Sequence, residues 1–72
     1  MTFDGPALKR HRVLAGKSRS DLAAASGLSE EAVRLIEMGR VTPRPSSAVA
    51  LADALGVDVA DLWIDEARAV AS

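Results

Sequence analysis

The sequence predicts an all-α domain of five short helices. Three observations carry this. Alanine supplies 14 of the apolar residues and β-branched residues are few, a composition that favours helix over strand. Gly16, Gly27, Gly39 and Gly56 each follow a stretch with helical apolar spacing, and glycine just past a helix end is the usual left-handed terminator. No strand pattern holds up, since Val57 and Val59 alternate over too short a span.

The first helix is expected from about Gly5 to Ala15. Pro6 suits its first turn, where the missing N–H costs nothing, and Leu8, Arg12 and Ala15 share one face. The second runs from Ser18 to Ser26. Ser18-Arg19-Ser20-Asp21 resembles a capping box with Asp in place of Glu, and Leu22, Ala23 and Ser26 point inward. The third runs from Ser29, a good N-cap, to Met38. Glu30 and Glu31 occupy its first turn, where the helix dipole favours acids, and Val33 and Ile36 mark its buried side. Gly39-Arg40-Val41-Thr42-Pro43-Arg44 is the one long connection, kept out of helix by its glycine and prolines. The fourth helix begins near Pro45 and ends at Leu55, with Ala48, Leu51, Ala52 and Leu55 inward. A fifth is expected after Asp58, a plausible N-cap. It carries Val59, Leu62 and Trp63 and extends toward Ala67 and Val70.

Composition excludes several function classes. The 72 residues suit one domain, with a core over about 8–63 and a C-terminal extension over 64–72. There is no cysteine, so neither a disulfide framework nor a thiolate zinc site can form, and the single histidine cannot build a His-rich metal centre. No metal and no cofactor are expected. No apolar run approaches the ~20 residues of a membrane span. The N-terminus lacks a charged-then-apolar signal segment, so a cytoplasmic protein is expected. Catalysis finds no support. His11 has no nucleophile motif near it, the serines sit mostly at caps, and no Gly-rich phosphate loop follows a strand.

The second and third helices form the informative unit. A helix, a tight glycine-containing turn (Ser26-Gly27-Leu28-Ser29) and another helix make a helix-turn-helix arrangement. Ala23 is small where the helices must cross. Glu30, Glu31, Arg34, Leu35 and Met38 are left outward on the second of the pair. In a major groove, the N-terminal outward residues of such a helix face base edges. Glu can accept from cytosine N4 and Arg can donate to guanine or phosphate. Alternatively, the two acids merely favour the helix N-terminus. The net charge of −1 conceals an asymmetry: residues 1–44 carry +3 and residues 45–72 carry −4. The basic excess therefore lies on the segments that would face a polyanion.

Ser18-x-x-x-Leu22-Ala23-x-x-x-Gly27-Leu28-Ser29-x-x-x-Val33-x-x-Ile36-Glu37-x-Gly39-x-x-x-Pro43, followed by Leu51-Ala52-x-Ala54-Leu55-Gly56-Val57-x-x-x-x-Leu62, resembles the phage repressor/Cro-type (XRE-like) helix-turn-helix family. The resemblance covers roughly Leu8 to Trp63. It implies a compact five-helix, repressor-like DNA-binding domain that binds double-stranded DNA, usually as a homodimer, and regulates transcription of phage, plasmid, restriction or toxin–antitoxin genes. With docking in the major groove, the outward Glu30, Glu31, Arg34 and Leu35 are the expected base-reading residues. The resemblance implies phosphate contacts from Ser18, Ser29, Arg40, Thr42 and Arg44. It further implies a structural pair between Arg12 and Glu37, against the plainer alternative of an exposed Arg12 with no fixed partner. Arg19 stands where the family very often has Gln, and can still reach a phosphate. Glu30 and Glu31 depart from the Gln, Arg, Lys, Ser or Thr common there.

Val57, Val59, Leu62, Trp63 and Ile64 form the densest large-apolar cluster, and Ala67, Val70 and Ala71 extend it. Val59, Leu62 and Trp63 would close the core by helical spacing. Val57, Val59, Trp63, Ile64, Ala67 and Val70 are the candidate dimer surface, with a frayed tail as the alternative. The leading expectation is a sequence-specific regulator, most simply a repressor on a pseudo-palindromic operator. The second is a protein-interaction module on the same fold, such as an antitoxin-like protein bound to a toxin or other partner, with Glu30 and Glu31 marking a surface that has lost DNA.

Overall fold

The computed structural model describes residues 1–64. Within them the chain forms a two-residue strand β1 (Thr2–Phe3), helix α1 (Gly5–Leu14), α2 (Arg19–Ser26), α3 (Glu30–Glu37), α4 (Pro45–Leu55), a single 3-10 turn (Val59–Leu62) and strand β2 (Trp63–Ile64). Helix α2 packs against both α3 and α4, and α1 packs against α3.

Local chemistry explains the helix ends. Asp4 caps α1 by accepting the Ala7 N–H at 3.0 Å. At α2 the capping box is reciprocal: Ser18 Oγ accepts from Asp21 N and Asp21 Oδ2 accepts from Ser18 N, both at 3.0 Å. Ser29 Oγ accepts from Ala32 N. All four helices close with the same backbone bond, in which the residue after the glycine donates back across a full turn: Lys17 to Arg12, Leu28 to Ala23, Arg40 to Leu35 and Val57 to Ala52. This is the Schellman arrangement. Gly27, with φ 75°, is where it matters most. A side chain there would strain the turn that sets α3 against α2.

The core gathers Leu8 of α1, Leu22 and Ala23 of α2, Val33 and Ile36 of α3, Ala48, Leu51 and Ala52 of α4, and Leu62. Leu8, Leu22, Val33, Leu51 and Leu62 are completely or almost completely buried. At Gly5, a Cβ would collide with the Ile36 carbonyl oxygen and lie 2.8 Å from that of Glu37. Only glycine lets the start of α1 sit so closely on the end of α3.

Three expectations need correction. Among the described residues there are four α-helices, not five, and the expected run of the fifth toward Ala67 and Val70 lies outside them. The i,i+3 pair Val59/Leu62 is satisfied by one 3-10 turn, whose period is three, and Asp58 at its start makes no side-chain cap bond. Strands do form. Thr2 pairs with Ile64 and Phe3 with Trp63 in an antiparallel ladder, helped by an edge-to-face contact between the Phe3 and Trp63 rings, centroids 5.3 Å apart. The Asp4 N–H donates to the Leu62 carbonyl at 2.7 Å, extending this clasp. Its partners lie at opposite ends of the described chain, so no local period reveals it. Finally, Ala15 is exposed rather than inward, because α1 ends at Leu14.

Candidate nucleic-acid interface

Helix α3 carries two Arg–carboxylate clusters in contrasting surroundings. The buried one centres on Glu37, whose side chain is 1% exposed. Arg12 of α1 donates from Nε to Glu37 Oε2 at 2.7 Å and from Nη2 to Oε1 at 3.3 Å. Its Nη1 donates to the Lys17 carbonyl at 2.8 Å. Arg19, in the first turn of α2, donates from Nε to Glu37 Oε1 at 3.1 Å. One carboxylate thus ties together the end of α1, the start of α2 and the end of α3. No buried side-chain polar atom among the described residues lacks a hydrogen-bond partner.

The exposed cluster lies one to two turns back along α3. Arg34 donates from Nε to Glu31 Oε1 at 2.6 Å, and its Nη2 closes on the same oxygen. Its Nη1 lies 3.2 Å from Met38 Sδ, a weak acceptor. Arg19, Glu30, Glu31 and Arg34 line one open depression between the starts of α2 and α3. Arg19 belongs to both groups, since Glu37 holds its Nε while the side chain remains about a third exposed.

The remaining candidate residues lie as follows. Leu35 is half-buried. The hydroxyls of Ser18 and Ser29 are engaged in caps, although both residues are exposed. Arg40, Thr42 and Arg44 are exposed along the connection after α3, and the Arg40 backbone is fixed by its bond to Leu35. Val57, Val59 and Trp63 are half-buried against the domain's own core, whereas Ile64 is exposed. Ala67 and Val70 lie outside the described residues.

The cap at the start of α2 displaces the titration of Asp21. The Ser18 backbone N–H, then the Ser18 hydroxyl, hold its carboxyl below the usual carboxylate value. No described helix is long and apolar enough to cross a membrane, and no group of three or more His, Cys, Asp or Glu among the described residues could hold a metal ion.

Sequence reasoning paired Arg12 with Glu37 but missed Arg19 as the second arginine on that carboxylate, a contact from the start of α2 to the end of α3 that no spacing encodes. It also missed the Glu31–Arg34 pair, for which opposite charges at i,i+3 were the available signal.

A family model described as helix-turn-helix matches residues 8–62. Among solved structures, the chain is similar to the restriction-modification controller protein C.AhdI from Aeromonas hydrophila, at 30% identity and TM-score 0.79, covering 82% of this chain and 89% of that one. It is similar to the clp gene regulator ClgR from C. glutamicum at 32% identity and TM-score 0.77, over 90% and 84% of the two chains. A hypothetical transcription factor, NHTF, from Neisseria is similar at 28% identity and TM-score 0.76, over 94% and 79%. No match to a curated protein accompanies these likenesses. With a match spanning most of the chain and a glycine turn joining two helices at the site just described, the chain belongs to the XRE-type helix-turn-helix family of DNA-binding transcriptional regulators.

Proposed function

We propose that the protein is a repressor that acts in the cytoplasm by occupying a pseudo-palindromic operator as a homodimer. Helix α3 enters the major groove and turns Arg34, with Glu30, Glu31 and Leu35, toward base edges. Arg19, Arg40, Thr42 and Arg44 hold the flanking phosphates, and the exposed helix starts at Ser18 and Ser29 add backbone N–H groups. The observation that carries this reading is Arg19. It is anchored at Nε on buried Glu37 and lines the same depression as Arg34. A guanidinium has five N–H donors, so the anchoring bond leaves four for a phosphate. Two copies would set their recognition helices about 34 Å apart, one turn of DNA. Exposed Ile64, with the half-buried Val57, Val59 and Trp63, supplies apolar surface for pairing them. The likenesses to a restriction-modification controller and a clp gene regulator support transcription control as the role.

Binding to a random duplex at rising salt tests the reading. Affinity should be measurable at low salt and fall steeply as salt rises, because neutralised phosphates release counterions. Absence of binding at the lowest salt sinks it. A second reading, a protein-interaction module with a toxin-like or other protein partner, is favoured by one observation. Glu30 and Glu31 outnumber Arg34 on the outward side of α3, and Glu31 already occupies Arg34.

A further inference from the structure

Glu31 and Arg34 are neighbours on one surface, each of a type able to meet a base. Their geometry separates their roles. The guanidinium of Arg34 is held within the protein at all three nitrogens: Nε donates to Glu31 Oε1, Nη2 lies in ion-pair contact with the same oxygen, and Nη1 donates to Met38 Sδ. The side edge of the fork, Nε with Nη2, is therefore occupied. Each terminal nitrogen keeps at least one N–H. A bidentate contact to guanine O6 and N7 needs two such donors, and it is the commonest specific contact in the major groove.

We infer that Glu31 is a positioning residue for Arg34: it holds the side edge of the guanidinium so that the terminal edge is presented to a guanine. This rests on α3 being the reading helix. The restraint matters because arginine is rotamer-rich and loses side-chain entropy on being fixed. A carboxylate one turn back removes part of that loss before DNA arrives. Glu31 and Arg34 are 62% and 42% exposed at their side chains, so the pair adds little to folding and its effect falls on recognition. The pair also cancels Arg34's charge locally, which weakens its pull on phosphates and leaves geometry as its contribution.

The experiment is selection of bound sites from a random duplex library by the full chain, followed by affinity measurements on the selected site and on its single-base variants. Wild type should show a guanine preference that Arg34→Ala abolishes. Glu31→Ala should lower preference at that same base pair by about tenfold, within the range of one bidentate contact. It should leave binding to random duplex equal or tighter, because a negative charge is gone. The double variant should lose no more than Arg34→Ala alone. Glu31→Gln, which keeps the acceptor oxygen without the charge, should retain most of the preference. An unchanged guanine preference in Glu31→Ala overturns the assignment, as does loss of preference at a different base pair, which would make Glu31 itself the reader. If wild type binds random duplex at no salt concentration, the DNA reading itself has failed. If it binds and Arg34→Ala keeps every base preference, only the present inference has failed.

Discussion

One helix carries the same ion-pair chemistry in two settings, and the settings decide what the chemistry is for. At the end of α3, Glu37 is buried beneath two arginines from two other helices. One to two turns earlier, Glu31 and Arg34 pair in solvent on the outward side. A buried charge that loses its partner is left in a poor solvent, whereas an exposed one is rehydrated. The Glu37 cluster should therefore govern folding, and the Glu31–Arg34 pair should govern recognition.

Glu37→Ala breaks the comparison most directly. It strands the Arg12 guanidinium and should destabilise the fold by about 3–5 kcal/mol, the usual consequence of removing one member of a buried pair. Chemical denaturation measures this, and an unchanged midpoint would mean that Arg12 is solvated when alone. Gly5→Ala probes the same seam without touching charge. Its Cβ collides with the Ile36 carbonyl and crowds that of Glu37, and forced overpacking of this kind costs about 1–3 kcal/mol. A stability equal to wild type would show that α1 can slide along α3. Arg34→Ala should weaken specific DNA binding by about 1–3 kcal/mol while the melting temperature stays put. A fall in melting temperature would erase the distinction between the two clusters. The smallest effect belongs to the α2 cap beside Arg19. Ser18→Ala should cost about 1 kcal/mol of stability. Asp21 shares that cap, and its carboxyl titrates lower in the folded state than when free. Its contribution is therefore complete above the ordinary carboxylate value of 3.8 and is lost as pH falls through the lower folded value. In Asp21→Asn this acid-side loss should disappear from a stability-against-pH series.

Much of this architecture is local, and local features are what a sequence displays. Ser18, Asp21, Ser29 and the terminating glycines act over three to six residues, so α1 to α4 were legible to within a residue or so at their ends. Helix α3 and its buried side at Val33 and Ile36 followed from the same periodicity. Arg12 with Glu37 was accessible through the family resemblance, helped by the oddity of an arginine on an apolar face. The contacts that stayed hidden are those made by chain return: Phe3 on Trp63, Arg19 on Glu37 and Gly5 on Ile36. Apolar spacing at Val59 and Leu62 fits a helix and a 3-10 turn equally, and the turn gives way directly to the strand that pairs with β1. The Glu31–Arg34 pair is a different case. Its spacing is visible in the sequence, but i,i+3 opposite charges on an exposed helix side do not by themselves fix a pair.

The clasp between β1 and β2 has a kinetic consequence. It joins Thr2 and Phe3 to Trp63 and Ile64, so closing it early would restrict nearly the whole chain for two residue pairs. Long closures of this kind are favoured only once intervening contacts have shortened the effective loop. The helices should therefore assemble first and the clasp last. In the native protein it is the element that should open most readily. The chain's single tryptophan sits in this clasp, so its fluorescence should report the final step of folding and the first step of unfolding, while circular dichroism follows the helices.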